Sequence, residues 1–222
     1  MNTFYCQALF FNNIYKQTFL WKYSIFWYII HISCRMEVGY ILDIADKIKE
    51  FFNYVNEIIQ IIKTNNIDKI ICYIKQIPLL CSLNAKSNEN RRLRELEKGN
   101  KHPVGVSRGE IYDLEITEGV GSELSDHHLV IIIQNKKGNI FSEKVNVLPI
   151  EGDGKKFNPN YQKQLKNTDL EEGRLDKDPS RIIITDILTF DKSRLKRRIG
   201  KIKPDYMKDV IDPAIKRQLD LK

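Results

Sequence analysis

Glu110-Ile111-Tyr112-Asp113-Leu114-Glu115-Ile116 is the stretch on which the reading of the fold turns. Polar and apolar residues change place at nearly every position, which is how a half-buried strand is written. Before it the apolar spacing is helical; after it the chain is a series of short apolar runs separated by turn residues. Leu129–Ile133 is β-branched and predicts a buried strand. Lys137-Gly138-Asn139 predicts a hairpin turn, and Val145–Ile150 the next strand. Residues 151–180 are polar and rich in Gly, Asn, Asp and Pro, predicting a long loop with a short strand inside it. Arg181–Ile184 predicts a strand, Asp191–Arg194 a helical turn, and Arg198–Ile202 a short strand. A last helix starts at Pro204 and carries Met207, Val210, Ile211, Ile215 and Leu219, with Pro213 placed to restart it.

Upstream, Ile44, Ile48, Phe51, Phe52, Val55, Ile58, Ile59 and Ile62 recur at helical spacing over Asp43–Lys63. Asn65-Asn66 breaks the pattern. A second helix is predicted over Ile67–Ile77, stopped by Pro78. Residues 86–98 are highly charged and predict a solvated linker helix, closed by Gly99. The domain boundary is placed near residues 99–107. The expected organisation is therefore a segment 1–41 that stands apart, a helical extension and linker over 42–100, and a domain over 104–222. Short strands followed by one helix predict the α+β class: a small, strongly curved antiparallel sheet or barrel.

Residues 4–34 are rich in Phe, Tyr, Trp and Ile, but the uncharged run Tyr23–Cys34 is 12 residues and includes His31, short of the roughly 20 that a spanning helix needs. Met1–Gln7 carries no basic residue, unlike the start of a signal peptide. No membrane association is expected. Met36-Glu37-Val38-Gly39 can be encoded by a ribosome-binding sequence, which gives the expectation that translation starts near Leu42 or Met36 and that the residues before it are not native; the mass of the native protein tests it.

The net charge is +7, a mild bias towards polyanions. Cys6, Cys34, Cys72 and Cys81 fit neither a zinc motif nor a dense disulfide framework, so a reducing cytoplasm is expected. The local charge signal is stronger. Lys192–Lys203 holds seven basic residues in twelve and no acidic one, and either tracks an RNA backbone or forms a solvated face.

Several short motifs occur in order: Arg108-Gly109-Glu110-Ile111-Tyr112, Gly121-Ser122-Glu123, Val130–Ile133 with Gln134-Asn135, Gly138-Asn139-Ile140-Phe141-Ser142, Asp191-Lys192-Ser193-Arg194-Leu195 and Ile199-Gly200-Lys201-Ile202. Together, over about residues 107–220, they resemble the MazF/PemK toxins of type II toxin–antitoxin systems. The resemblance implies an SH3-like (CcdB/PemK-type) β-barrel with a C-terminal helix, and a homodimer. It implies metal-independent, sequence-selective cleavage of single-stranded RNA, no cofactor, and a cognate antitoxin whose extended segment blocks the RNA groove.

Cleavage without a metal uses the ribose 2′-hydroxyl as nucleophile. It needs a base for that hydroxyl, an acid for the leaving 5′-oxygen and a cation for the developing charge. Aligned by its flanks, the family's arginine position is His128 here and its threonine position is Glu151. The candidate catalytic residues are thus His128, Glu123 and Glu151, and the candidate RNA contacts are Arg108, Ser122, Lys144, Lys192, Arg194, Arg197 and Arg198. A metal site is not expected, because adjacent His127 and His128 point to opposite faces of a strand and no His-x-x-x-His or Cys-x-x-Cys spacing exists. Two alternatives stay open beside the nuclease. One is a catalytically weakened relative that binds nucleic acid or antitoxin; the other is a toxin on the same barrel that inhibits a protein such as a topoisomerase.

Overall fold

The structure, a computed structural model, describes residues 38–62, 67–152 and 157–221. The expected start at Met36 and the helix break at Asn65-Asn66 lie outside the described residues. The chain divides into two units, Met1–Ile67 and Asp68–Lys222. In the first, α1 spans Val38–Ile62, and Phe51 and Phe52 meet edge-on with ring centroids 5.8 Å apart. No described helix is long and apolar enough to cross a membrane.

The second unit begins one residue into α2, Ile67–Lys75, and continues with α3, Ile77–Leu96. Pro78 does not end a helix, as the sequence reading expected; it occupies the first turn of α3, where its missing N–H has no helical partner to lose. Nor is the charged stretch 86–98 a free linker. Lys86 Nζ donates to Ser193 O at 2.9 Å, Ser87 Oγ to Asp191 Oδ2 at 2.9 Å, and Arg91 and Arg94 both reach Glu143 at 3.2 Å. Lys86, Arg91 and Arg94 thus reach the sheet unit, while Arg92 and Glu89 pair with each other in the open.

Among the described residues eight strands form one antiparallel sheet: β1 Glu110–Glu115, β2 His127–Ile132, β3 Lys144–Glu151, β4 Gln162–Leu165, β5 Leu170–Gly173, β6 Ser180–Ile183, β7 Leu188–Asp191 and β8 Leu195–Ile202. Their order is β4-β6-β3-β2-β1-β8-β5, with β7 also on β3. β3 carries the curl. Its first half pairs with β7, from Lys144↔Asp191 to Val147↔Leu188, and its last two residues pair with β6. One strand serving two partners on one edge bends the sheet into a half-barrel with a core on each face. Ile111, Ile131, Leu148, Ile150 and Ile182 pack under the terminal helix, against Met207, Ile211 and Ala214. Tyr112, Leu114, Val130, Ile132, Val145 and Val147 form the second core with Leu195. Burial on both faces explains why β2 reads as a continuous apolar run.

The β2–β3 connection is a short helix, α4, over Lys136–Phe141, where a hairpin turn was expected. Asn135 decides this: its side chain accepts from Gly138 N at 2.8 Å and caps the helix start. The terminal helix runs through Pro204–Tyr206, a π-helical Met207–Ile211, and Asp212–Gln218. The wide turn precedes Pro213, whose ring would clash with a carbonyl in a regular α register.

Candidate functional site

β2 starts with two histidines, and both line one cavity. His127 turns to β1 and β8, with Nε2 3.2 Å from Glu115 Oε1 and Lys196 Nζ 3.5 Å from its Nδ1. His128 lies at the rim of a cavity of about 630 Å³ whose wall includes Leu129, Ile150, Leu175 and Glu151. Register explains the meeting. Leu129 stands opposite Ile150, so one step further out His128 and Glu151 are cross-strand neighbours. Glu151 in turn stands opposite Arg181 on β6.

The Arg181 guanidinium clasps that carboxylate. Nε lies 2.9 Å and Nη2 2.5 Å from Glu151 Oε2, and the two side chains are 16% and 30% exposed. Three adjacent strands thus bring an imidazole, a carboxylate and a guanidinium to one concave surface, with Asp176, Lys177 and Ser180 on its far rim. A proton acceptor, a proton donor and a fixed positive charge lining one open cavity are the parts that phosphodiester transfer by an internal hydroxyl requires. Among the described residues no group of three or more His, Cys, Asp or Glu side chains is arranged to hold a metal ion.

The other candidates lie elsewhere. Glu123 is exposed in the β1–β2 loop and caps it, accepting from Val120 N at 2.8 Å; Ser122 beside it is exposed. Lys144 is at the other end of β3 from Glu151. Arg108 pairs with Asp212 of the terminal helix and lines a separate cavity of about 560 Å³. Lys192 is a correction: it is fully buried, with Nζ 2.6 Å from Asn139 O, and no phosphate can reach it. Burial pushes its amine down to about 8. Arg194 donates to Glu115 O at 3.1 Å and lies over the Phe190 ring. Arg198 is held between Glu110, at 2.9 Å, and Glu172, whose carboxylates keep its guanidinium firmly charged.

Most of the basic run is therefore occupied within the molecule. Lys196 pairs with Glu115, Lys201 with Glu171 at 2.7 Å, and Lys203 donates to Thr168 O at 2.7 Å. Arg197 is exposed and makes no ion pair among the described residues. Arg181 was missed by the sequence reading, which had its strand but not the strand's partner; the one signal was an arginine opening an apolar run.

The family model for the PemK-like, MazF-like toxin of type II toxin–antitoxin systems matches residues 107–219. The Endoribonuclease MazF of Staphylococcus saprophyticus is 35% identical over 107 residues, covering 47% of this chain and 84% of that protein. Among solved structures, an endoribonuclease in complex with its cognate antitoxin from a mycobacterial species matches with a TM-score of 0.39 and 18% identity, over 53% of this chain and 96% of that one. A MazF crystal structure from Deinococcus radiodurans matches with a TM-score of 0.42 and 12% identity, over 53% and 99%. On the extent of the family match and the identity to the staphylococcal protein, the chain belongs to the PemK-like, MazF-like toxins of type II toxin–antitoxin systems.

Proposed function

We propose that this chain is a metal-independent endoribonuclease toxin that cuts single-stranded RNA, acting in the cytoplasm as a homodimer and held in check by a cognate antitoxin. The staphylococcal relative carries the name endoribonuclease, which supports the activity. The observation that carries the reading is that His128 and Glu151 line one open cavity, on paired strands whose register sets Leu129 opposite Ile150. Glu151 accepts the proton of the 2′-hydroxyl as its oxygen attacks the adjacent phosphorus. His128, protonated, returns a proton to the 5′-oxygen as the P–O5′ bond breaks, leaving a 2′,3′-cyclic phosphate. An imidazole exchanges protons near neutrality, which an arginine does not.

The test is cleavage of a long single-stranded RNA by the full chain in excess EDTA. His128→Ala and Glu151→Gln are each expected to slow single-turnover cleavage by about a hundredfold or more. Cleavage that survives both substitutions removes this pair from the chemistry. A folded, dimeric parent that does not cut supports a binding protein instead.

A further inference from the structure

We infer that Arg181, on β6, supplies the cation that stabilises the pentavalent phosphorus during cleavage; this rests on the nuclease reading above. When the 2′-oxygen bonds to phosphorus before the 5′-oxygen has left, negative charge builds on the two non-bridging oxygens. Neutralising it demands a permanent positive charge fixed in place beforehand. His128 cannot do this and also give its proton away, because once the proton has gone to the 5′-oxygen the imidazole is neutral.

The cavity offers two permanent cations, Arg181 and Lys177. Lys177 is exposed, on the loop before β6. Arg181 is fixed. It sits in a strand, its side chain is 16% exposed, and its place opposite Glu151 is set by register. Its planar fork matches two oxygens of one phosphate in a way an ammonium does not. The contact with Glu151 orients the guanidinium and keeps the base next to the charge it generates. As the 2′-hydroxyl proton moves to Glu151, the carboxylate loses its charge and weakens its hold. The guanidinium attraction then transfers to the phosphorane oxygens. The cation thus strengthens its grip in the transition state, as catalysis requires.

The alternative is that Arg181 only positions Glu151. A double-substitution cycle separates the two. Single-turnover cleavage in EDTA is measured for the full chain, Arg181→Gln, Glu151→Gln and the double variant, with folding checked by circular dichroism and Arg181→Lys as the milder change. Arg181→Gln is expected to lose about a hundredfold or more, and to lose a further tenfold or more in the Glu151→Gln background. Added guanidinium ion, below denaturing concentration, is expected to restore part of the rate of Arg181→Ala. A second readout does not need turnover: binding of a 2′-O-methyl oligoribonucleotide across salt concentrations, where losing one phosphate contact lowers the logarithmic salt slope by roughly 0.7.

A cutting parent whose Arg181→Gln form cuts within a few-fold and keeps its salt slope overturns the inference and leaves the nuclease reading standing. An effect that vanishes in the Glu151→Gln background, without guanidinium rescue, makes Arg181 a positioning residue and overturns it too. A parent that does not cut, but whose slope drops on Arg181→Gln, ends the nuclease reading and keeps the phosphate contact. No cutting and no change in slope overturn both.

Discussion

Lys192 Nζ lies 2.6 Å from the main-chain oxygen of Asn139, inside the protein, with no solvent exposure. Desolvation is the larger effect on this amine and the neighbouring Asp191 carboxylate the opposing one; together they leave it at about 8. His102, pushed down by burial and by the Lys192 charge, also feels this site. Between pH 8 and about 10.5 the unfolded chain binds this proton more tightly than the folded one, so stability from this group rises with pH across that window. Below pH 8 both states are protonated and the cost of the buried charge is fully present. Tyr112 and Tyr206, held up to about 12 by burial, erode stability only above pH 10. The stability of the parent minus that of Lys192→Met is therefore expected to rise from pH 7 to pH 10 in urea titrations. A flat difference would mean the amine is solvated.

Gly173 and Gly200 face each other across β5 and β8. Gly173 has φ +83°, and a Cβ there would come 2.2 Å from Ile199 O and 2.5 Å from Gly200 Cα. Backbone cannot retreat from backbone inside a ladder, so Gly173→Ala must open the pairing. The expected loss is about 2 kcal/mol or more, from the left-handed backbone and the overlap together. It is read in urea unfolding, with faster hydrogen exchange at the Lys203 amide, which donates to Asp169 O just before β5. Gly99, also at positive φ but with nothing within 4 Å of its would-be Cβ, bears the backbone strain alone and is expected to cost less when changed to Ala.

The sequence announces what is local. The alternation at Glu110, the capped helical turn after Asp191 and the amphipathic terminal helix are legible because their causes lie within a few residues. The hairpin assignment at Lys137-Gly138 failed through one side chain, Asn135, whose cap favours a helix over a tight turn. Lys192 misled because a run of basic residues says nothing about which way each one points. Arg181 was invisible for a different reason: the polar stretch between β3 and β6, expected as a loop with one short strand, holds both β4 and β5, and no pattern in β3 or β6 states that they pair in the register Glu151↔Arg181. His128 and Glu151 came from motif resemblance, and their adjacency is a consequence of the β2–β3 register.

The β1–β2 loop that leads into His127 and His128 is gripped from outside the sheet. Gln76 Oε1 accepts from Glu118 N at 2.8 Å, Tyr73 Oη donates to Gly119 O at 3.3 Å, and Lys69 pairs with Glu118. These helical residues precede the stretch matched by the family model, so the clamp belongs to this chain's extension. Gln76→Ala removes the acceptor of one main-chain N–H, a contact worth about 1 kcal/mol. Exchange at the Glu118 amide is expected to quicken by about five- to tenfold, with Ile131 unchanged as an internal reference. Equal protection in both proteins would mean the loop holds itself without α2 and α3.

Neighbouring arginines on β8 are expected to fail in different ways. The two residues differ in what holds them. Arg198 joins three strands, bonding Glu110 of β1 and Glu172 of β5, so Arg198→Ala should lower stability by about 1 kcal/mol, a modest figure because the side chain is 35% exposed and the pairs are screened. Arg197 is exposed and has no internal ion pair among the described residues, so Arg197→Ala should leave stability within about 0.5 kcal/mol of the parent. If RNA runs along this strand, the same substitution lowers the logarithmic salt slope of binding by roughly 0.7 and weakens all sequences alike, as a phosphate contact does. Urea unfolding and anisotropy titrations at three salt concentrations separate the two residues. A slope that falls for Arg198→Ala and not for Arg197→Ala would place the phosphate contact at Arg198 instead.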